Sequence, residues 1–298
     1  MTEEITVTAC CGQEKTIKIA DIKTEGLDSH FQDIENGEQI KEVVKQRYAY
    51  AATHATGCGC GCSPDSSDSE FSFVGDEYEG HEGYVAEADL GLGCGVPTDL
   101  AGISEGDTVL DLGSGAGIDA FIARREVGSE GNVIGVDLTP EMISRARENT
   151  EKLGYDNVRF LEGDIENLPV DSNTIDVVIS NCVLNLVPHK YNAFSEMHRV
   201  LKNGGHFTVS DIVIQGELPE RLRESAELYA GCVSGAIERS DYLNLLSEVG
   251  FSDIQVLKEH EINIADEILL ENASAEEVAE FRKSGGISSI TVTGYRKN

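Results

Sequence analysis

Residues 109–121, VLDLGSGAGIDAF, constrain this chain more than any other stretch. They open as an apolar run carrying Asp111, pass glycines at 113, 115 and 117, and continue into residues able to start a helix. The pattern predicts a buried strand turning tightly into a helix, since glycine takes backbone conformations closed to other residues and lets a ligand approach the main chain. A helix N-terminus adds unpaired N–H groups and a partial positive charge, so the turn suits a nucleotide-like ligand. A strand–helix turn packed for its own sake also fits these residues alone.

The surrounding sequence sets the turn in a larger pattern. Strands are expected at 108–112, 132–138, 158–161, 175–180 and 206–210. Between them lie helical patterns: one opens at Thr139-Pro140, presents Ile143, Ala146, Thr150 and Leu153, and stops at Gly154, and one carries Phe194, Met197 and Leu201. Alternating strands and helices predict a parallel sheet covered on both faces. Upstream, 15–20 reads as a short strand and 36–53 as a helix, followed by a glycine- and cysteine-rich loop and an acidic lid-like segment at 66–83. Downstream, helices are expected at 219–237 and 240–249, a capping box at Ser274 and Glu277, and a final strand at 287–295. The domains expected are an N-terminal extension (1–78), a cofactor domain (79–215) and a C-terminal region (216–298).

Composition narrows the function. A chain of 298 residues can bury a sizeable core. Its net charge of −31 argues against nucleic acid as a partner, because backbone binding needs clustered Lys and Arg. A solvated acidic surface accounts for the charge, and a salt-rich cytoplasm would screen its repulsion. The first twenty residues have no basic start and apolar run of a secretory signal, and no stretch is long and apolar enough for a bilayer. The expected location is the cytoplasm, where thiols stay reduced. Eight cysteines there point to metal, metalloid or redox chemistry more than to a disulfide framework.

The glycine turn lacks the Gly-Lys-Ser/Thr ending of a P-loop, and a dinucleotide fingerprint would place its third glycine at position 118. With Asp111 two residues before the first glycine, it resembles motif I of class I S-adenosylmethionine-dependent methyltransferases. Asp137 closes the second strand, placed to accept hydrogen bonds from both ribose hydroxyls of a nucleoside, although helix capping would also use an acid there. Residues 162–165, Glu-Gly-Asp-Ile, follow the third strand, and the resemblance implies that Asp164 meets the adenine amino group. On that resemblance the fold is a Rossmann-like α/β sheet with an N-terminal helical extension and a smaller C-terminal α+β region. The cofactor is S-adenosylmethionine, held by Asp111, Gly113, Ser114, Gly115, Gly117, Asp137, Leu138, Asp164, Ile165 and Asn181.

Each cysteine taken singly suits packing as well as chemistry. Three stand in contexts that change this: Cys94 among glycines in GLGCGVP, Cys182 in SNCVLN at the carboxyl edge of the fourth strand, and Cys232 among small residues in YAGCVSG. In order, these segments resemble those of the arsenite S-adenosylmethionine methyltransferases, and the resemblance runs from about Lys41 to the C-terminus. It implies that Cys94, Cys182 and Cys232 bind trivalent arsenic as three thiolates, with arsenite or a thiol conjugate as substrate and a reductant such as thioredoxin or a small thiol as partner. A soft, thiophilic centre prefers sulfur. Its lone pair then needs no general base, consistent with histidines scattered at 54, 81, 189 and 198. The family carries a further upstream cysteine. Cys62 is the first choice and Cys60 the second among Cys58, Cys60 and Cys62, while a flexible thiol loop or a zinc site also fits, the tight spacing arguing mildly against zinc. The Cys10-Cys11 pair lies outside the comparison. Two other readings stay open: methylation of a small quinone- or sterol-like acceptor, and non-catalytic metalloid binding.

Overall fold

The computed structural model describes residues 4–8, 14–18, 37–54, 78, 80–216, 235–262, 269–270 and 273–297. The expected helix at 219–237 therefore falls outside the described residues except for 235–237, which are not helical. Near the N-terminus β1 (Glu4–Thr8) and β2 (Glu14–Lys18) pair antiparallel, and α1 (Gly37–His54) follows. Then come β3 (Thr108–Leu112), α2 (Ile118–Val127), β4 (Asn132–Asp137), α3 (Pro140–Leu153), β5 (Val158–Glu162) and β6 (Ile175–Asn181). The chain continues through α4 (Lys190–Val200), β7 (Leu201–Gln215), α5 (Arg239–Val249), β8 (Phe251–Ile262), α6 (Ala275–Ser284) and β9 (Gly286–Arg296).

Seven strands form one sheet in the order β5-β4-β3-β6-β7-β9-β8. The first five are mutually parallel, and β9 runs antiparallel to both its neighbours. Alternation along each strand divides the core. Val109, Val133, Val177 and Ile179 pack with Ala120, Phe121 and Ala123 of α2 and Ile143 and Ala146 of α3. Leu110, Leu112, Ile134, Val136 and Val178 face the other way, onto Phe194 and Met197 of α4 and Tyr242 and Leu246 of α5. This is the period-two consequence of strand geometry, and it explains why the strands read as continuous apolar runs. The order reverses beside β3, with β4 on one side and β6 on the other, so a crevice opens at their carboxyl ends.

Four local expectations need correction. Thr139 sits at the N-cap of α3, yet its side chain caps nothing; its N–H and hydroxyl both turn to the Asp137 carboxylate, the stronger acceptor. Leu153, on the last turn of α3, is exposed rather than facing the core. The helix expected to end at 203–205 stops at Val200, and Leu201 through Gly205 already belong to a 15-residue β7, bent where its register against β6 shifts. α5 begins at Arg239, before the expected Ser240. The C-terminal α+β region supplies β8 and β9 to the main sheet, and the capping box at Ser274 and Glu277 starts α6. β8 carries no clear apolar alternation because it is the edge strand, with Lys258, Glu259 and Glu261 in the open. Among the described residues no helix is long and apolar enough to cross a membrane.

Candidate active site

The crevice is built first by the turn after β3. The N–H groups of Gly113 and Ser114 both donate to the Val136 carbonyl, at 2.8 and 3.1 Å, folding the chain back over β4. Gly113 has φ +66°, and a Cβ there would lie 2.0 Å from Val183 Cγ2. Gly115, at φ +50°, faces the opposite circumstance: its nearest obstacle is Met142 Sδ at 4.0 Å, so the backbone there is the open floor of the cleft. Gly117 lies behind that floor at the N-cap of α2, hard against the Phe121 and Phe160 rings. The cleft opens to solvent and takes in about 1000 Å³ of atom-free space, the open mouth included.

Acidic groups ring the cleft. Asp137 accepts the Gly115 N–H at 2.9 Å on one oxygen and the Thr139 N–H at 2.8 Å on the other, leaving further lone pairs at the strand end. Burial raises its pKa, against the pull of those two N–H groups. Asp119 lines the opposite side. Burial pushes its carboxyl up to about 6, although Tyr78 and Asn181 donate to it, and its Oδ1 is buried without a hydrogen bond. Ser114 Oγ is likewise buried and unbonded. Asp111 lies beneath the turn rather than in its wall, with Oδ2 unbonded. Burial, then the charges of Asp119 and Asp137, hold its pKa well above the usual carboxylate range. Asp164 is held from both sides, by Lys41 Nζ at 2.7 Å and the Glu166 N–H at 2.9 Å.

The cysteine shelf lies at the same strand ends. Cys182 follows β6 with φ +59°, a strained conformation for a residue with a side chain, pinned by its N–H to the Ser210 carbonyl at 2.8 Å. That conformation turns its sulfur toward the loop of Cys94, and the two are joined as a disulfide with Cα atoms 5.7 Å apart. The Cys94 loop is held on both faces. Ser289 Oγ donates to the Cys94 carbonyl at 2.7 Å, and Asn181 accepts the Cys94 N–H at 3.0 Å and donates to the Gly95 carbonyl at 2.6 Å. Asn181 Nδ2 also contacts Tyr78 Oη, which donates to Asp119 at 2.8 Å. Both sulfurs sit in an apolar cluster with Leu186, Ile212, Ile214 and Phe281, against Val44 and Tyr48 of α1.

Of the residues singled out from sequence, Gly113, Ser114, Gly115, Asp137, Leu138, Asp164, Ile165, Asn181 and Cys182 line one cleft, with Cys94 behind Gly93. Asp111 and Gly117 support the turn from beneath. Cys62 and Cys232, with Cys10, Cys11, Cys58 and Cys60, lie outside the described residues. Among the described residues no three His, Cys, Asp or Glu side chains group as a metal site. The expectation of reduced thiols is not what the structure holds at Cys94 and Cys182: their loops are packed so closely that the sulfurs pair. Residues that sequence reading passed over are Tyr78, Asp119 and, from α1, Lys41, Val44 and Tyr48. Asp119 stood inside the diagnostic stretch itself; the others reach the cleft only through tertiary packing.

Residues 103–250 match the methyltransferase domain family. A crystal structure of an arsenic(III) S-adenosylmethionine methyltransferase from Chlamydomonas reinhardtii superposes with a TM-score of 0.58 at 38% identity, over 69% of this chain and 67% of that one. The chain belongs to the arsenite methyltransferase family. Within that family, the arsenite methyltransferase of Halobacterium salinarum is 44% identical over 75% of this chain. That of Aquipseudomonas alcaligenes is 36% identical over 60% of it. The matches span 60% and 53% of those two relatives' lengths. The cleft fits the family's cofactor: the glycine floor is open, Asp137 waits at the strand end, and Ser114 Oγ and Asp119 Oδ1 are buried polar atoms lacking partners.

Proposed function

We propose that the chain transfers methyl groups from S-adenosylmethionine to trivalent arsenic held by cysteine thiolates. The observation that carries this reading is the position of Cys182. It stands in the wall of the cleft that also holds the glycine turn and Asp137, with Cys94 bonded to it. When bound, S-adenosylmethionine supplies a methyl carbon on a positively charged sulfur, which the arsenic lone pair attacks while the broken bond's electrons stay with that sulfur. The protein's part is alignment and exclusion of water. Asp137 would accept from the ribose hydroxyls and Asp164 from the adenine amino group, and the Gly113–Gly115 backbone would lie against the ligand. Leu186, Val187, Val44 and Tyr48 make the substrate side dry.

The substrate side needs its thiols free. A thiol reductant, small or protein-borne, opens the Cys94–Cys182 disulfide by becoming a disulfide itself, and the two thiols lose protons as arsenite hydroxyls leave as water. Cys232 is proposed as the third ligand, and Cys62 as one of two thiols that return two electrons to arsenic after transfer by becoming a disulfide. Such chemistry belongs in a compartment that keeps thiols reduced, such as the cytoplasm. The test is Cys182→Ser assayed with arsenite, S-adenosylmethionine and a thiol reductant. Methylation should vanish while S-adenosylhomocysteine binding stays within a factor of about three. Full activity in this variant would overturn the assignment. The apolar wall of the cleft is what a small organic acceptor would also use; methylation of such a compound after thiol blocking would favour that reading instead.

A further inference from the structure

α1 comes to the cleft from far away in sequence, and it brings one cation. Lys41 Nζ lies 2.7 Å from Asp164 Oδ2 and 2.8 Å from Glu166 Oε2, and its side chain is only 16% exposed. Glu166 is more deeply buried still, and its other oxygen accepts the His189 N–H at 2.7 Å. One ammonium thus joins three segments: α1, the 163–167 loop after β5, and the 187–189 loop before α4. Asp164 is fixed at both oxygens, Oδ2 by Lys41 and Oδ1 by the Glu166 N–H. Asp164 also lines the cleft, beside Ile165, Val44 and Tyr48. The opposite end of α1 is tied separately, by Arg145 Nη1 on the Ala52 carbonyl at 3.0 Å.

We infer that Lys41 is a positioning residue for recognition of the cofactor's base: it holds Asp164 in the one orientation that accepts a hydrogen bond from an exocyclic amino group. This rests on the proposed cofactor reading. The electrostatics require such a cation. Asp164 and Glu166 are two carboxylates within reach of a single Nζ, in a chain of net charge −31. Burial works against the charge on Lys41, but hydrogen bonds and attraction from Asp164 and Glu166 outweigh it and keep the ammonium protonated beyond the ordinary lysine range. Without it the two carboxylates repel, Asp164 swings toward water, and its lone pairs leave the cleft. An acceptor held in this way discriminates: an adenine 6-amino group donates to it, whereas a 6-oxo group meets a carboxylate oxygen with another acceptor and is rejected.

The experiment compares S-adenosylhomocysteine with S-inosylhomocysteine, its 6-oxo counterpart, by calorimetry on the full chain and on Lys41→Met and Lys41→Arg. The wild-type chain should prefer the amino ligand by at least about tenfold, the scale of one hydrogen bond to a charged group. Lys41→Met should weaken S-adenosylhomocysteine by roughly tenfold and leave S-inosylhomocysteine within about twofold, collapsing the preference, while Lys41→Arg restores most of it. If Lys41→Met weakens both ligands equally, or neither, Lys41 serves only to dock α1 and the inference is overturned. Failure of the wild-type chain to bind S-adenosylhomocysteine at all would instead overturn the cofactor reading beneath it, and the inference with it.

Discussion

Asn181→Ala offers a quantitative test of how the cysteine shelf is held. The Asn181 side chain accepts the Cys94 N–H at 3.0 Å, donates to the Gly95 carbonyl at 2.6 Å, and reaches Tyr78 Oη and Asp119 Oδ2, the latter at 3.3 Å. Truncation removes the amide and leaves the Cys94 N–H and Gly95 carbonyl as buried orphans, each costing about 1–3 kcal/mol. Because the cleft lets water reach part of the site, the lower half of the summed range applies, about 2–4 kcal/mol. Urea unfolding of the reduced protein should show that loss as a lowered midpoint at unchanged slope. In the folded variant the Cys94 loop keeps its tie to Ser289 but loses both bonds to Asn181, so arsenite affinity should fall by roughly tenfold. An unfolding midpoint and an arsenite affinity both equal to wild type would refute the reasoning, since Asn181 would then be holding nothing.

Gly113→Ala sets a Cβ 2.0 Å from Val183 Cγ2 at φ +66°, so Val183 must leave the cleft wall; S-adenosylhomocysteine binding, measured by calorimetry, should weaken by more than roughly tenfold. Asp211 is fully buried, and burial lifts its carboxyl to about 7 despite the nearby Lys190 charge, the Ile212 N–H and the Tyr242 hydroxyl. A raised folded-state pKa means that the native protein binds the extra proton, so this group's contribution is most favourable below about pH 4 and is lost as pH rises to about 7. Asp211→Asn should therefore gain stability relative to wild type above pH 7, by an amount on the order of 2–4 kcal/mol, and gain nothing at pH 4; equal differences at both pH values in denaturant melts would contradict it.

Much of the sheet was legible because its strands are buried on both faces and therefore carry continuous apolar runs with little ambiguity. The strand-end acid Asp137 was legible for a geometric reason: the parallel register of β3 with β4 puts the carboxyl end of β4 beside the glycine turn. β8 was not legible, because an edge strand with one solvated face keeps charged residues where a central strand cannot. The long β7 was obscured by Asn203-Gly204-Gly205, which reads as a helix stop yet lies within the strand, with Asn203 and Gly204 exposed beside a register shift. The Cys94, Cys182 and Asn181 positions could be named from their local contexts, but not their connection. Asn181 and Tyr78 are 103 residues apart, and Lys41 and Asp164 are 123 apart, so no periodicity in the sequence carries those contacts. Nor did composition anticipate a bonded pair at Cys94 and Cys182, since it speaks of compartment and not of how closely two loops are packed.

The central claim is that thiols at Cys94 and Cys182, set beside the glycine turn, present arsenic to a methyl donor held there. It is tested most directly by supplying S-adenosylmethionine with an isotopically labelled methyl group, together with arsenite, to the protein with its disulfide reduced or kept oxidised, and identifying the arsenic species formed. The account predicts labelled methylarsenicals from the reduced protein and none from the oxidised one. Labelled product from the oxidised protein, or no labelled arsenical from a reduced protein that binds both ligands, would contradict it.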